Sequence, residues 1–332
     1  MPKNKKFKIL TIGGATHDIF FHSDEGVMVD NRHDITKQKL VGFEYGAKIN
    51  IKEANFSFGG GATNSAVALS KLGAKVSSFV CIGKDKTGES IFNNLESLKI
   101  DLPSVQYSSK PSGLSSVIVY GRQTHDHILF TYRGANEDLK IDGSELEKIK
   151  PDWIYLSSLS GSKWLGVLNK VFSQVAKNNI KIAWNPGNLQ IKSGLNELKG
   201  FLQNTEVLIL NKDEAMELLL SINEEKITNP RVILSKLKEF CPNKIVITDG
   251  QKGSYAIDSN KKIYHEPVKK VEKFDTTGVG DAFGATFVWG LEFLHSDVQA
   301  ALEVATINAG AVITKQGAQD GLLNKNEMLK RL

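Results

Sequence analysis

The segment Asp275-Thr276-Thr277-Gly278-Val279-Gly280-Asp281-Ala282-Phe283-Gly284 places a glycine-rich turn directly before an apolar helical run, with a carboxylate at the junction. The first turn of a helix presents N–H groups without intrahelical acceptors, and the aligned peptide dipoles concentrate roughly half a positive charge there. Such a junction holds anions. Gly278 and Gly280 let a ligand approach the backbone with no Cβ in the way. If Asp281 merely capped the helix, it would compete with an anion for the same N–H groups, so its presence beside the cradle points to a proton to be moved. Phosphoryl transfer to an alcohol needs both parts: a base for the acceptor hydroxyl, and donors for the charge that builds on the transferred group. Taken alone, the segment also reads as an ordinary helix start with an Asp near its N-cap.

A second glycine-rich segment, Phe58 to Ala66 (FGGGATNSA), opens a predicted helix over Ala62 to Leu72. Ala62, Ala66, Leu69 and Leu72 share one face of that helix, and Gly73 ends it. The segment fails the dinucleotide pattern G-x-G-x-x-G. Gly83 to Ser90 (GKDKTGES) mimics a P-loop at its glycines but has Glu89 where the lysine belongs, which excludes a Walker-type NTPase.

The elements that must position these residues alternate. Strands are predicted at Phe7 to Gly13, Val76 to Ile82, Trp153 to Leu156, Ile180 to Trp184, Val207 to Leu210 and Lys244 to Thr248. Helices are predicted at Thr87 to Leu98, Lys163 to Ala176 and Asp213 to Leu220. This rhythm implies an α/β fold, a largely parallel sheet covered by helices with ligands at the carboxyl ends of its strands. Two regions break it. Residues 19 to 58 hold only short β-like pieces, at Ile19 to His22, Gly42 to Tyr45 and Phe56 to Phe58, and Leu114 to Tyr120 with His127 to Tyr132 read as a hairpin. Parts of residues 19 to 58 and 110 to 133 are expected to form a small β-sheet lid that excludes water from the transfer site.

The 332 residues, 41% hydrophobic and 24% charged, suit one large domain, 1–332, with a small appendage. The net charge of +5 comes from dispersed lysines rather than a basic block with interleaved aromatics, which argues against a nucleic-acid partner. No segment approaches 18 uninterrupted apolar residues and the N-terminus lacks a signal-peptide pattern, so no membrane partner and a cytoplasmic location are expected. Cys81 and Cys241 read as buried thiols.

Gly59 to Ile91, with its G-G-G-A-T-N, L-G-A-K-V and I-G-K-D-K-T-G pieces, resembles the first signature of ribokinase-like (phosphofructokinase B-type) carbohydrate kinases, and Asp275 to Leu291 resembles the second. Gly13 to Asp18 resembles the family's first-strand substrate loop, Asn211 to Glu214 its N-x-x-E, Ile247 to Gly253 its nucleotide loop, and Asn308 to Leu322 its closing helix and turn. The resemblance implies a three-layer α/β/α fold with a small β-sheet lid, ATP as phosphoryl donor and Mg²⁺ as cofactor. It implies Asp281 as catalytic base, Gly278, Val279 and Gly280 as anion hole, and Asp18, Gly60 and Asn64 on the substrate. It further implies Asn211, Glu214, Thr248, Gly250 and Asn308 on the nucleotide side, with Glu214 holding Mg²⁺ through water. Asp275 and Thr277 are implied at a site for a monovalent cation such as K⁺. Ribokinase proper has a lysine between glycines where this chain has Gly59-Gly60-Gly61, so ribose is not the implied substrate.

The sequence therefore predicts an ATP-dependent kinase acting on a hydroxymethyl group of a sugar or polyol. A nucleoside kinase, for which Phe20, Phe21, Phe43, Tyr45 and Tyr132 offer aromatics, and an inactive sugar- or nucleotide-binding protein on the same fold are the alternatives. A homodimer through the lid is expected from its exposed edges and apolar face. The four tryptophans (Trp153, Trp164, Trp184, Trp289) read as core, and His125-Asp126-His127 as a solvated hairpin tip. His17 reads as either a ligand contact or structural, and Arg133 as either a hairpin end or a contact to a charged substrate.

Overall fold

A computed structural model describes residues 7–30, 39–103, 105–120, 126–222, 226–269 and 271–332. An eight-stranded sheet runs in the order Ile263–Glu266, Ser254–Ile257, Lys244–Thr248, Val207–Asn211, Lys181–Trp184, Trp153–Leu156, Lys8–Ile12, Lys75–Phe79. From Lys244–Thr248 to the far edge every pairing is parallel, and the two strands at the other edge add as an antiparallel meander. Because the strands are buried on both faces they read as near-continuous apolar runs. Ile9, Trp153, Tyr155, Val207, Ile209 and Val246 point into one core, shared with the helices Gly61–Lys71, Val279–Phe293 and Val298–Val312. Leu10, Ile154, Leu156, Trp184, Leu208 and Ile247 point into the other, under Trp164–Asn178, Asn188–Gln203, Lys212–Leu220 and Pro230–Leu237. The result is three layers, α/β/α.

A second, four-stranded sheet has the order Asp126–Tyr132, Gly113–Tyr120, Thr16–Ser23, Glu53–Gly59. It begins three residues before the expected boundary at 19, because the chain leaves Lys8–Ile12 through Gly13-Gly14 and re-enters a strand at Thr16, carrying Asp18 with it. Further departures have local causes. The predicted strand Val76 to Ile82 divides into Lys75–Phe79 in the main sheet and Cys81–Gly83, which pairs with Gln106–Ser108. The β-like piece Gly42 to Tyr45 is instead the end of strand Lys39–Gly42, paired with Val27–Asp30. The crossover helix Asn188–Gln203 was not expected, since Gly194, at φ 83°, interrupts its periodicity with a non-helical residue.

Trp153, Trp184 and Trp289 are fully buried and Trp164 is partly buried against the second core. Both cysteines are free and buried, and burial pushes Cys81 up to about 11 and Cys241 to about 12. No helix among the described residues is long and apolar enough to cross a membrane.

Candidate active site

Parallel strands end on one side of a sheet, and here Ile12, Leu156, Trp184, Asn211 and Thr248 end there together. Above this edge Gly278 caps the helix Val279–Phe293 at φ 71°, and a Cβ on it would lie 2.2 Å from the Ala318 Cβ. Only glycine fits both the left-handed turn and the contact. The first intrahelical bond is Ala282 N–H to Gly278 O at 2.9 Å, so the amides of Gly280 and Asp281 come before the ladder begins. A Cβ on Gly280 would meet nothing within 4 Å, which is the open space an anion needs.

Asp275 staples this turn. Its Oδ1 accepts from Thr277 N–H at 2.9 Å and Thr277 Oγ1 at 2.8 Å, and its Oδ2 from Gly317 N–H at 2.8 Å. A monovalent cation would share the carboxylate with these donors.

The glycine triplet lies between two acids. A Cβ on Gly59 would fall 2.0 Å from Asp18 Oδ2, and one on Gly61 would fall 3.5 Å from Asp281 Oδ1. Gly60, at φ 98°, packs so closely on Gly14 that a Cβ there would sit 2.5 Å from its carbonyl oxygen. Gly14 O also accepts from Ala62 N–H at 3.1 Å, tying the first-strand loop to the helix start. Asp18 is buried, with Oδ1 accepting from the hydroxyls of Thr16 (2.8 Å) and Ser115, which leaves Oδ2 turned to the triplet. Burial pushes its carboxyl up, against the pull of those hydroxyls. Asp281 Oδ2 accepts from Asn64 Nδ2 at 2.8 Å. Its carboxyl is also raised by burial, lowered by the Asn64 contact and raised by the Asp18 charge. A carboxylate with raised proton affinity at a helix N-terminus is placed to take a proton beside a bound anion.

Asn211 and Glu214 form a capping box at the start of Lys212–Leu220: Glu214 N–H donates to Asn211 Oδ1 and Asn211 N–H to Glu214 Oε2, both at 2.8 Å. That accounts for the N-x-x-E spacing by itself, yet leaves Glu214 Oε1 unclaimed by the box. Burial raises the Glu214 carboxyl, the Asn211 amide lowers it, and the Asp281 charge raises it again. A second acid in the field of Asp281 suits a hard divalent cation held through one carboxylate oxygen and water, so these residues fit Mg²⁺. Pairing of Asn211 with Thr248 sets the nucleotide loop beside them, with Gly250 at φ 53° and open around its Cα. Lys212 reaches Asp249 in that loop at 3.3 Å.

Asn308 does not meet the expectation of a nucleotide contact through its side chain. It is fully buried, its Nδ2 donating to Thr286 Oγ1 at 2.7 Å and its Oδ1 accepting from Leu323 N–H at 3.0 Å, so both ends of the amide are spent on packing helices and the closing turn. Its neighbours Thr306, Ile307, Gly310 and Ala311 instead line a cleft of about 570 Å³ with Val268 and Val271.

Strand alternation resolves several readings. His17 faces away from Asp18 and packs on the rings of Phe56 and Phe58, at 5.9 and 5.4 Å between centroids, so its role is structural. Phe20 shares the Asp18 face and is buried, whereas Phe21 and Tyr132 lie on the opposite face, Phe43 is half-buried in a loop and Tyr45 is fully exposed. Arg133 is exposed, and its carbonyl accepts from Asn136. The side chains of His125-Asp126-His127 lie outside the described residues; among the described ones no group of three or more His, Cys, Asp or Glu forms a metal cluster.

Three residues not singled out from the sequence build the site. Ser115 holds Asp18. Asn136 clamps Ala15 through both backbone groups, at 2.8 and 2.9 Å, and Gln319 donates to Asn64 Oδ1 at 3.0 Å. No spacing rule marks them, because each acts across more than 90 residues of chain.

The family model of pfkB family carbohydrate kinases matches residues 32–325. A ribokinase of Bacillus subtilis is 27% identical over 274 residues, covering 81% of this chain and 86% of the relative. Among solved structures, an Arabidopsis thaliana ribokinase complexed with ribose and ATP superposes with a TM-score of 0.79 at 20% identity, over 98% of each chain. A Burkholderia thailandensis nucleoside kinase in complex with inosine superposes at 0.76 with 17% identity, over 97% of each.

Proposed function

This chain belongs to the pfkB family of carbohydrate kinases, and on that premise we propose that it transfers the γ-phosphoryl group of ATP to a hydroxymethyl group of a sugar or closely related polyol. The observation that carries the reading is Asp281 at an open helix N-terminus, with Asp18 across the Gly59-Gly60-Gly61 run. Asp18 Oδ2, the Gly60 backbone and the second N–H of the Asn64 amide orient the acceptor hydroxyls. Asp281 Oδ1 takes the proton as the acceptor oxygen attacks the γ-phosphorus and the bond to the ADP oxygen breaks. The amides of Gly278, Val279 and Gly280 take up the charge on the transferred oxygens, the Val279 N–H turning from its 3.4 Å contact with Thr276 O to do so. Mg²⁺ near Asn211 and Glu214 would neutralise phosphate charge when bound. Thr248, Gly250 and the cleft beside Thr306 and Ile307 receive the nucleotide.

The whole chain acts as one catalytic unit in this reading, with the four-stranded sheet as a lid. The buried, unpaired thiols support a reducing, cytoplasmic compartment. A monovalent cation at Asp275 and the Thr277 carbonyl would further fix the turn. Activity is then expected to rise when K⁺ replaces Na⁺ or Tris, and equal rates in all three would remove this part.

A nucleoside acceptor is the second reading, supported by the likeness of the fold to the Burkholderia thailandensis nucleoside kinase in complex with inosine. A coupled ADP-release screen over ribose, fructose, 2-keto-3-deoxygluconate, fructose 6-phosphate, adenosine, cytidine and inositol separates the two. Turnover on a free sugar or polyol is expected. Turnover on nucleosides alone would select the second reading, and none on any would contradict both.

A further inference from the structure

Asn64 stands between the base and Gln319. Its Nδ2 donates to Asp281 Oδ2 at 2.8 Å while its Oδ1 accepts from Gln319 Nε2 at 3.0 Å. A terminal amide has two nearly isosteric orientations, and only its neighbours select one. Turned round, Asn64 would set an oxygen against the Asp281 carboxylate and a donor against the Gln319 donor. Gln319 is itself fixed. It is buried, its Oε1 accepts from Asn94 Nδ2 at 3.5 Å, and its carbonyl accepts from Lys71 Nζ at 3.1 Å. The amides Asn94, Gln319, Asn64 and the Asp281 carboxylate thus form one chain in which every donor points the same way, ending on a group that only accepts.

We propose that Gln319 is a positioning residue for the base. By donating to Asn64 it holds that amide with its NH₂ on Asp281 Oδ2, which orients the carboxylate and leaves Oδ1 for the acceptor hydroxyl. The inference rests on Asp281 being the base. Gln319 belongs to the segment whose Gly317 N–H holds Asp275 and whose Ala318 packs on Gly278, so one short stretch sets both the anion turn and the base. Because the Asn64 contact lowers the proton affinity of Asp281, loss of its fixed orientation raises it. The other groups whose charges bear on Asp281 are Asp18 from the strand Thr16–Ser23, Glu214 from the helix Lys212–Leu220 and Tyr155 from the strand Trp153–Leu156, all left in place by a change at position 319.

The test is Gln319→Met, which keeps volume and removes the donor. In protein labelled with ¹³C at the Asp carboxyls, with the Asp281 signal assigned by its loss in Asp281→Asn, the Asp281 titration midpoint is expected to move up relative to the unsubstituted protein. No substrate is needed, so this outcome is separate from that of the ADP-release screen. On the substrate found there, kcat is expected to fall roughly ten- to a hundredfold with KM changed less, and the acid limb of kcat to follow the midpoint. A folded Gln319→Met with an unmoved midpoint and unchanged kcat would overturn the proposal. Should that variant not fold, the unsubstituted protein decides. One Asn64 side-chain N–H is expected to be protected from solvent exchange in ¹⁵N spectra, and exchange of both at the rate of an exposed amide would overturn it.

Discussion

At the scale of single residues, two acids stand around a run of glycines and burial raises the proton affinity of both, which in the proposed reading is how the site works. The acid limb of kcat should therefore lie above the range of an ordinary carboxylate. In Asp18→Asn it should shift to lower pH, because a charge that raises Asp281 is gone. A limb that did not move, measured on the screened substrate, would show that the limb reports another group. The same shift has a stability consequence. A carboxyl whose folded proton affinity is raised costs nothing below its unfolded value of 3.8, and the cost grows as pH rises from there to the folded value. Asp281→Asn should then melt higher than the unsubstituted protein at pH 7, with the gain vanishing near pH 3. Differential scanning calorimetry at the two pH values checks it. Asp281 was legible in the sequence because it sits in a glycine-rich turn before a helix, whereas Asp18 and Asn64 were read only through the resemblance of their segments to a family. Ser115, Asn136 and Gln319 were not legible, because what they do depends on which distant residue the fold brings to them, and position along its helix did not tell that the Asn308 side chain turns to Thr286 and Leu323 rather than to the cleft its neighbours line.

At the scale of elements, two glycines separated by one residue in the same turn have different duties, and substitution should separate them. Gly278→Ala puts a Cβ where φ is 71° and Ala318 already stands, so it should cost about 1–3 kcal/mol of stability and lower kcat together. Gly280→Ala enters open space on a helix, so thermal stability should hold or rise slightly while kcat falls on the order of 100-fold, because the methyl occupies the anion's place. Melting and turnover measured on both variants decide this; equal loss of stability in the two would contradict it. Most elements were legible where apolar runs ended in glycine, as at Gly13 and Gly73. The helix Asn188–Gln203 escaped notice because Gly194 breaks its period, and the edge strands Ser254–Ile257 and Ile263–Glu266 because four residues each carry little pattern.

At the scale of the molecule, the four-stranded sheet turns Asp18 and Phe20 inward, and cross-strand pairing gathers Phe56, Phe130 and Tyr132 on its other face, 65%, 55% and 48% exposed. An apolar face of that kind marks an interaction site, and a second copy is the proposed partner. Light scattering at micromolar concentration should give a dimer that Phe56→Asp with Phe130→Asp converts to monomer, and a strict monomer before substitution would remove the idea. The account as a whole stands on the proton taken by Asp281. Its most direct test is the steady-state turnover of purified, folded Asp281→Asn on the substrate identified by the screen, with sugar and nucleotide binding measured alongside. Loss of about 10² to 10⁴ in kcat with binding retained is the predicted result, since Asn keeps the contact from Asn64 but cannot accept the proton; wild-type turnover in that variant would contradict it.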